Sequence, residues 1–237
     1  MMPPIPNRNL RATAWDLIQR IAQRRNSADQ LSFLCYEPRG GTAARFPTCV
    51  PPRSFYSKTV DELLEMEGGS AEYLTAKLVG GLIADATIPQ FFAAEHILLP
   101  GFTLPSCNPN EVWALCSTIK QADEYEVGLP LLDFRAEAQP MGSDTEARTL
   151  AALSAALKVI KAPSGALLNS GGSYHYYGLD PLAIAEWRSF MHRSLLLEPL
   201  VDVRYIAHRL ESGRATLRIG SSPLKPQQPH VVCWIGG

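Results

Sequence analysis

Ser170-Gly171-Gly172-Ser173-Tyr174-His175-Tyr176-Tyr177-Gly178 decides the fold of this chain. The Gly171-Gly172 pair is a tight-turn signal. It separates two apolar runs, Ala166 to Asn169 and Ser173 to Tyr177, so the segment predicts a β-hairpin. On its N-terminal side, Pro163 should stop a helix that Ser143-Asp144-Thr145-Glu146 opens as a capping box. Leu150, Leu153, Leu157 and Ile160 are spaced for one face of that helix. Before it, Glu126 to Phe134 is a short apolar run ending in an acid and predicts a central strand in spite of Pro130. On the C-terminal side, Asp180 as N-cap and Pro181 in the first turn open a helix through Trp187, Phe190 and Met191. Leu200 to His208 and Arg214 to Ile219 then predict two strands joined by Glu211-Ser212-Gly213, with Val231 to Ile235 as a last one.

Residues 126 to 208 thus read β-α-β-β-α-β, the split βαβ of ferredoxin-like folds, with expected sheet order 4-1-3-2. The first strand lies antiparallel to both neighbours in that arrangement. Its carboxyl end, with Asp133, meets the start of strand three, with His175, and the start of strand four, with Asp202. Alternation along a strand places Asp133 with Arg135, Ser173 with His175 and Asp202 with Arg204. The fold class is α+β, a ferredoxin/RRM-like antiparallel sheet in the C-terminal half with an N-terminal α/β module packed on it.

Leu104-Pro105-Ser106-Cys107-Asn108-Pro109-Asn110 is dense in turn formers and divides the chain into a module of residues 1–105 and one of residues 106–237. In the first, Leu10 to Arg25 has helical spacing and Leu31 to Tyr36 reads as a strand. Arg39-Gly40-Gly41 falls in a loop, Thr59 to Glu67 and Ser70 to Asp85 read as helices, and His96 to Leu99 as a short strand. Twenty-two Lys+Arg against 23 Asp+Glu leave a net charge of −1, so no global basic field announces nucleic acid and any such partner is met by a local patch. The five cysteines are scattered, with no C-x-x-C pair, which favours reduced thiols over structural zinc. There is no leader pattern and no apolar run of about 18 residues, which predicts a soluble cytoplasmic protein that does not meet a membrane. The chain has neither a Walker-type G-x-x-x-x-G-K-[ST] loop nor a G-x-S-x-G elbow. Tyr174, Tyr176 and Tyr177 suit packing more than base stacking.

In their order and placement these residues resemble the archaeo-eukaryotic primase superfamily over roughly residues 110 to 230. Leu131-Leu132-Asp133-Phe134-Arg135 stands where that family has an acidic motif ending a first palm strand. Ser173-Tyr174-His175 matches its Ser-x-His motif after a glycine turn. Val201-Asp202-Val203-Arg204-Tyr205, leading through Arg209 and Leu217-Arg218-Ile219 to Ser221-Ser222-Pro223-Leu224-Lys225-Pro226, resembles the third acid and the basic segment that follows. The resemblance implies a primase/polymerase-like nucleotidyltransferase acting in nucleic-acid synthesis, in which Asp133 and Asp202 hold Mg2+ or Mn2+ and do the catalytic work. It further implies that Ser173, His175, Arg218 and Lys225 contact the phosphates of a nucleoside triphosphate, and Arg204 and Arg209 a single-stranded or primed nucleic acid. The chain lacks an obvious helicase or helical priming domain, so a protein partner of that kind is expected.

One position departs from the family pattern. The first motif usually places two acids one residue apart, and here Arg135 occupies the second place, with Glu137 two residues further along the same face. A cation there should depress the pKa of both acids and partly neutralise the site without a metal. The alternative function is therefore a primase-fold subunit that binds nucleic acid or partner proteins without polymerising.

Overall fold

A computed structural model describes residues 12–36, 89–106, 111–223 and 225–236. The helices expected at Thr59 to Glu67 and Ser70 to Asp85, and the Arg39-Gly40-Gly41 loop, lie outside the described residues. The chain divides into two compact units, Met1–Pro38 with Pro89–Gly237, and Arg39–Ile88, and every described residue belongs to the first. In chain order its elements are α1 (Ala14–Gln23), β1 (Gln30–Tyr36), β2 (Gln90–Ala93), α2 (Ala94–Ile97), β3 (Val112–Lys120), β4 (Glu126–Gly128) and β5 (Leu131–Glu137). There follow α3 (Asp144–Val159), β6 (Gly165–Asn169), β7 (Ser173–Gly178), β8 (Leu182–Ala183), α4 (Ile184–Ser194), a 3-10 turn (Leu195–Leu197), α5 (Val203–Ser212), β9 (Thr216–Arg218) and β10 (His230–Ile235).

The fold is α+β with two antiparallel sheets. One runs β2-β1-β3-β4-β8, with β9 also paired to β3, and the other runs β10-β6-β7-β5. The expected break at residue 105 is corrected: β1, from before that loop, pairs with β3, from after it. His96 to Leu99 is not a strand but the end of α2 and the turn after it, and the strand there is β2, whose Phe91 and Phe92 pair with Ser32 and Leu31 of β1. The run from Glu126 to Phe134 is two strands in different sheets. Pro130 has no N–H to give a ladder, and its carbonyl instead accepts from Gly178, so the chain leaves β4 and enters β5 across it.

The hairpin forms as its sequence predicts. Gly171 takes φ +93°, a left-handed conformation suited to glycine, and its N–H donates to Asn169 Oδ1 at 2.8 Å. β5, β6 and β7 adopt the expected 1-3-2 order, but the fourth strand is almost absent. Only Val201 bridges Phe134 of β5, and residues 203 to 212 are the helix α5. The helix wins because Asp202 Oδ1 accepts from both Arg204 N and Tyr205 N and Gly213, at φ +71°, closes the other end. Val203, Ile206 and Leu210 meanwhile recur at helical spacing against the core. Asp180 does not cap α4; it pairs with Arg24 at 3.1 Å, and α4 begins at Ile184 after the two-residue β8.

A contiguous core joins the two sheets and the helices. Leu17, Ile18 and Ile21 of α1, Leu153 and Leu157 of α3, and Trp187, Phe190 and Met191 of α4 are all fully buried in it. Tyr174, Tyr176 and Tyr177 are buried as well and act as packing residues. The Tyr176 hydroxyl donates to Pro163 O at 2.5 Å and that of Tyr177 to Arg218 O at 2.8 Å. Cys116 and Cys233 are free thiols, whereas Cys35 is disulfide-bonded, which corrects the expectation of reduced cysteines at that position. Among the described residues no helix is long and apolar enough to cross a membrane.

Candidate functional site

The ladder between β5 and β7 sets Asp133 directly opposite His175. Ser173 Oγ donates to Asp133 Oδ1 at 3.2 Å, and His175 Nε2 lies 3.7 Å from the same oxygen. On the other side of β5, the Phe134–Val201 bridge brings in the remaining acid. Asp202 N donates to Asp133 O at 3.3 Å and Arg135 N to Leu200 O at 2.8 Å, so Asp133 and Asp202 are cross-strand neighbours although α5 starts at once. Asp133, Ser173, His175 and Asp202 therefore meet at one sheet edge, as their sequence positions predicted.

The other sheet supplies the positive side. Arg218, at the end of β9, is buried, and its guanidinium donates to Gly220 O at 2.6 Å, Gln227 O at 2.7 Å and Ser170 O. That ties the hairpin turn beside Ser173 to the segment carrying Lys225, so Arg218 shapes the site as well as charging it. Lys225 is exposed and closes a tight turn with Ser222, their backbones exchanging hydrogen bonds of 2.9 and 3.0 Å. Arg204 is exposed in the first turn of α5. Arg209 donates to Thr216 Oγ1 at 3.1 Å and lies 5.4 Å from the Tyr205 ring centroid, which fits a role in holding α5 to β9.

Titration behaviour follows from this arrangement. Burial first, and then the Asp202 charge, push the Asp133 carboxyl up from 3.8 to about 7, against the opposing pull of Ser173, Lys225 and Arg218. The Asp133 side chain keeps 33% of its surface, so water screens part of this, and the neighbouring carboxylate fixes the direction. The expected depression by a nearby cation is thereby corrected, because burial and a second carboxylate outweigh the cations. His175 is pushed the other way, down from 6.5 to about 3, by burial and then by the charges of Arg218 and Lys225. The imidazole is therefore neutral, and its contact with Asp133 is not an ion pair. Its Nδ1 is buried without a hydrogen-bond partner among the described residues. The carboxylate facing Nε2 favours the tautomer with the proton there.

Asp202 Oδ1 is committed to the α5 cap, and Asp133 Oδ1 to Ser173 and the His175 side. Each carboxylate keeps its other oxygen, a hard donor of the kind that Mg2+ or Mn2+ takes. Two acids are fewer than such an ion usually takes from a protein, and among the described residues no group of three or more His, Cys, Asp or Glu could hold a metal. β5 does continue to Glu137, and two extra residues on β5 set it opposite Ser173, yet it completes no such group.

Sequence reasoning missed Tyr36, the last residue of β1. Its hydroxyl is pushed upward by burial and feels the charges of Arg218, Asp133 and Arg209. No motif signals it, because the long insertion between β1 and β2 separates it from the rest of the site. The opposite end of β1 borders a surface hollow of about 540 Å³ lined by Gln30, Lys120, Glu124 and Glu126, which shares no residue with the site. An archaeo-eukaryotic primase 1D-like (AEP-like) family model matches residues 102–231, more than half of the chain, and that span includes every site residue named here except Tyr36. No curated protein and no solved structure gives a match.

Proposed function

The chain belongs to the archaeo-eukaryotic primase 1D-like family, and from that premise we propose that its palm is a nucleotidyltransferase site that binds a nucleoside triphosphate and the end of a nucleic-acid strand. One observation carries the reading. Asp133 and Asp202 come together beside Ser173 and His175 on one sheet edge while Arg218 and Lys225 reach the same place from the other side. The reaction this suits is attack of a strand-end hydroxyl on the α-phosphorus, with pyrophosphate leaving.

Asp133 and Asp202 would hold the Mg2+ or Mn2+ ion through the oxygens they keep clear of Ser173 and the helix cap. Such an ion supplies positive charge to the triphosphate and makes the attacking hydroxyl more acidic. The chain's own groups do the rest. Lys225 offers an unburied ammonium to a phosphate oxygen, the neutral His175 ring turns its Nε2–H toward Asp133, and Ser173 donates a hydrogen bond to the same carboxylate. Arg204, beside Asp202, is placed to meet a strand backbone, and Arg209 steadies the helix that carries it.

A second reading, binding without polymerisation, is favoured by the pairing of two carboxylates with no third acid grouped with them among the described residues. Calorimetric titration separates the two. Nucleoside triphosphate should bind the wild-type chain more tightly with Mn2+ than without, and Asp133→Asn should remove that gain. If Mn2+ changes nothing while single-stranded nucleic acid binds in a salt-dependent way through Arg204, the non-catalytic reading stands and the transferase reading fails.

A further inference from the structure

The Arg218 guanidinium is committed to backbone. The residue is 6% exposed, its Nη1 donates to carbonyls at both ends of one segment, Gly220 O and Gln227 O, and its Nη2 donates to Ser170 O. A rigid planar fork can hold three fixed acceptors in this way, and a lysine ammonium has no such fork. Ser170, 7% exposed, carries that grip towards Asp133. Its N–H and its hydroxyl both donate to Ser173 O, each at 2.9 Å, and its Oγ lies 3.2 Å from Ser173 Oγ. Each hydroxyl has one proton to give. With the Ser170 proton directed at Ser173, the Ser173 proton is left for Asp133 Oδ1, 3.2 Å away. The turn between the two serines is braced from one side: a Cβ on Gly171 would meet Gln227 at 3.0 Å, whereas one on Gly172 would meet nothing within 4 Å. Its position is therefore set from the Gln227 side, where Arg218 binds.

We propose that Arg218 and Ser170 are positioning residues for the Asp133 carboxylate. Arg218 fixes the Ser170 backbone, Ser170 orients the Ser173 hydroxyl, and that hydroxyl holds Asp133. Arg218 then acts on a bound triphosphate through its field and through this relay, not by direct contact, and exposed Lys225 is the cation that meets the phosphates. The purpose of the relay rests on the nucleotide-binding reading above, whereas its hydrogen bonds belong to the unliganded chain, so the two can fail separately. One consequence is that positive charge alone does not replace Arg218, because what the site needs from it is the three-carbonyl grip.

The test uses the full chain in two arms. In the ligand-free arm, nuclear magnetic resonance follows the Asp133 side-chain carboxyl carbon at one fixed pH. Ser170→Ala removes a single hydroxyl, keeps the carbonyl that Arg218 holds and leaves Ser173 O its bond from Ser170 N, so it should fold as the wild type does. It should move the Asp133 resonance in the direction that Ser173→Ala moves it, and Ser170→Thr, which restores the hydroxyl, should return it towards wild type. In the nucleotide arm, the chain is titrated with a non-hydrolysable nucleoside triphosphate. Ser170→Ala should weaken binding roughly 2- to 10-fold, the weight of one neutral hydrogen bond. Arg218→Lys, with the charge kept and the fork lost, should weaken it at least as much, and the wild-type Arg218 guanidinium nitrogen resonances should shift little on saturation. An Asp133 resonance indifferent to Ser170→Ala overturns the inference. So does wild-type affinity in Arg218→Lys, or a large shift of the Arg218 guanidinium on binding, either of which assigns Arg218 to direct phosphate contact and leaves the nucleotide-binding reading intact. Absence of nucleotide binding by the wild-type chain overturns that reading instead, and the ligand-free arm still decides the relay.

Discussion

Asp133 and His175 face each other across β5 and β7 and titrate in opposite senses. The folded chain holds the Asp133 proton up to about pH 7, whereas an unfolded chain releases it near 3.8, so this group lowers stability as pH rises through that window. His175 refuses its proton down to about pH 3 while an unfolded chain accepts it near 6.5, so this group lowers stability as pH falls from 6.5 towards 3. The two slopes oppose each other where they overlap and should leave the wild-type profile nearly flat there. Asp133→Asn should uncover the histidine, giving stability that climbs as pH rises from about 3 to 6.5. His175→Gln should uncover the aspartate, giving stability that declines from about 3.8 to 7. Urea denaturation across a pH series reads both, and parallel profiles in all three proteins would show that the pair is not set as described. The residues themselves were legible in the sequence, because a Ser-x-His after two glycines and an acid ending an apolar run are local patterns. Their opposite titration was not, since it depends on the burial that folding imposes.

At the scale of the element, α5 separates what local sequence says from what a fold-level template expects. The template asked for a fourth strand at Leu200 to His208. Asp202 before Val203, helical spacing of Val203, Ile206 and Leu210, and a closing Gly213 were helix signals in the same stretch. Asp202 consequently has two tasks, the helix cap and the carboxylate of the site, and two substitutions separate them. Asp202→Ala should cost about 0.5–2 kcal/mol through loss of the cap, together with any ion binding. Asp202→Asn, an equally good cap, should hold stability in chemical denaturation and still abolish the Mn2+ effect. If both variants lose the same stability, the cap is not what Asp202 contributes. A second element-scale dependence is the seat of α4 on β4. Trp187 is fully buried, its Nε1 donates to Leu129 O at 3.0 Å, and its ring lies over Gly128, where an added Cβ would come within 2.5 Å of it. Trp187→Ala should therefore destabilise by about 3–5 kcal/mol, and Gly128→Ala should destabilise as well despite adding one methyl group. Denaturation midpoints check both, and a neutral Gly128→Ala would mean that α4 shifts freely over β4.

For the molecule as a whole, the hairpin order β6-β7-β5 was readable because turns and alternation are local, whereas the sheet built on β3 was not. Val112 to Lys120 pairs with β4 across the short turn that follows it, but its other partners, β1 and β9, come from distant parts of the chain and nothing local announces them. In sequence Pro130 weakens the case for one strand, and in the fold it marks the exchange between two sheets, which single-strand periodicity cannot express. The same long-range assembly makes the acidic pair a property of the folded state, since Asp133 and Asp202 meet only after β5, β7 and the start of α5 have come together. A divalent ion held between them should thus bind the folded chain and not the unfolded one. At about 100 times its dissociation constant it would add about 2.7 kcal/mol, a rise in melting midpoint of about 5–10 °C for a unit of this size. Because the ion must displace the proton that Asp133 keeps up to about pH 7, its affinity should fall roughly tenfold for each pH unit below that point. Calorimetric scans in Mn2+ should accordingly show a larger rise at about pH 8 than at about pH 6, and none in Asp202→Asn. A rise of equal size at both pH values, or one that survives Asp202→Asn, would put the bound ion somewhere other than this pair.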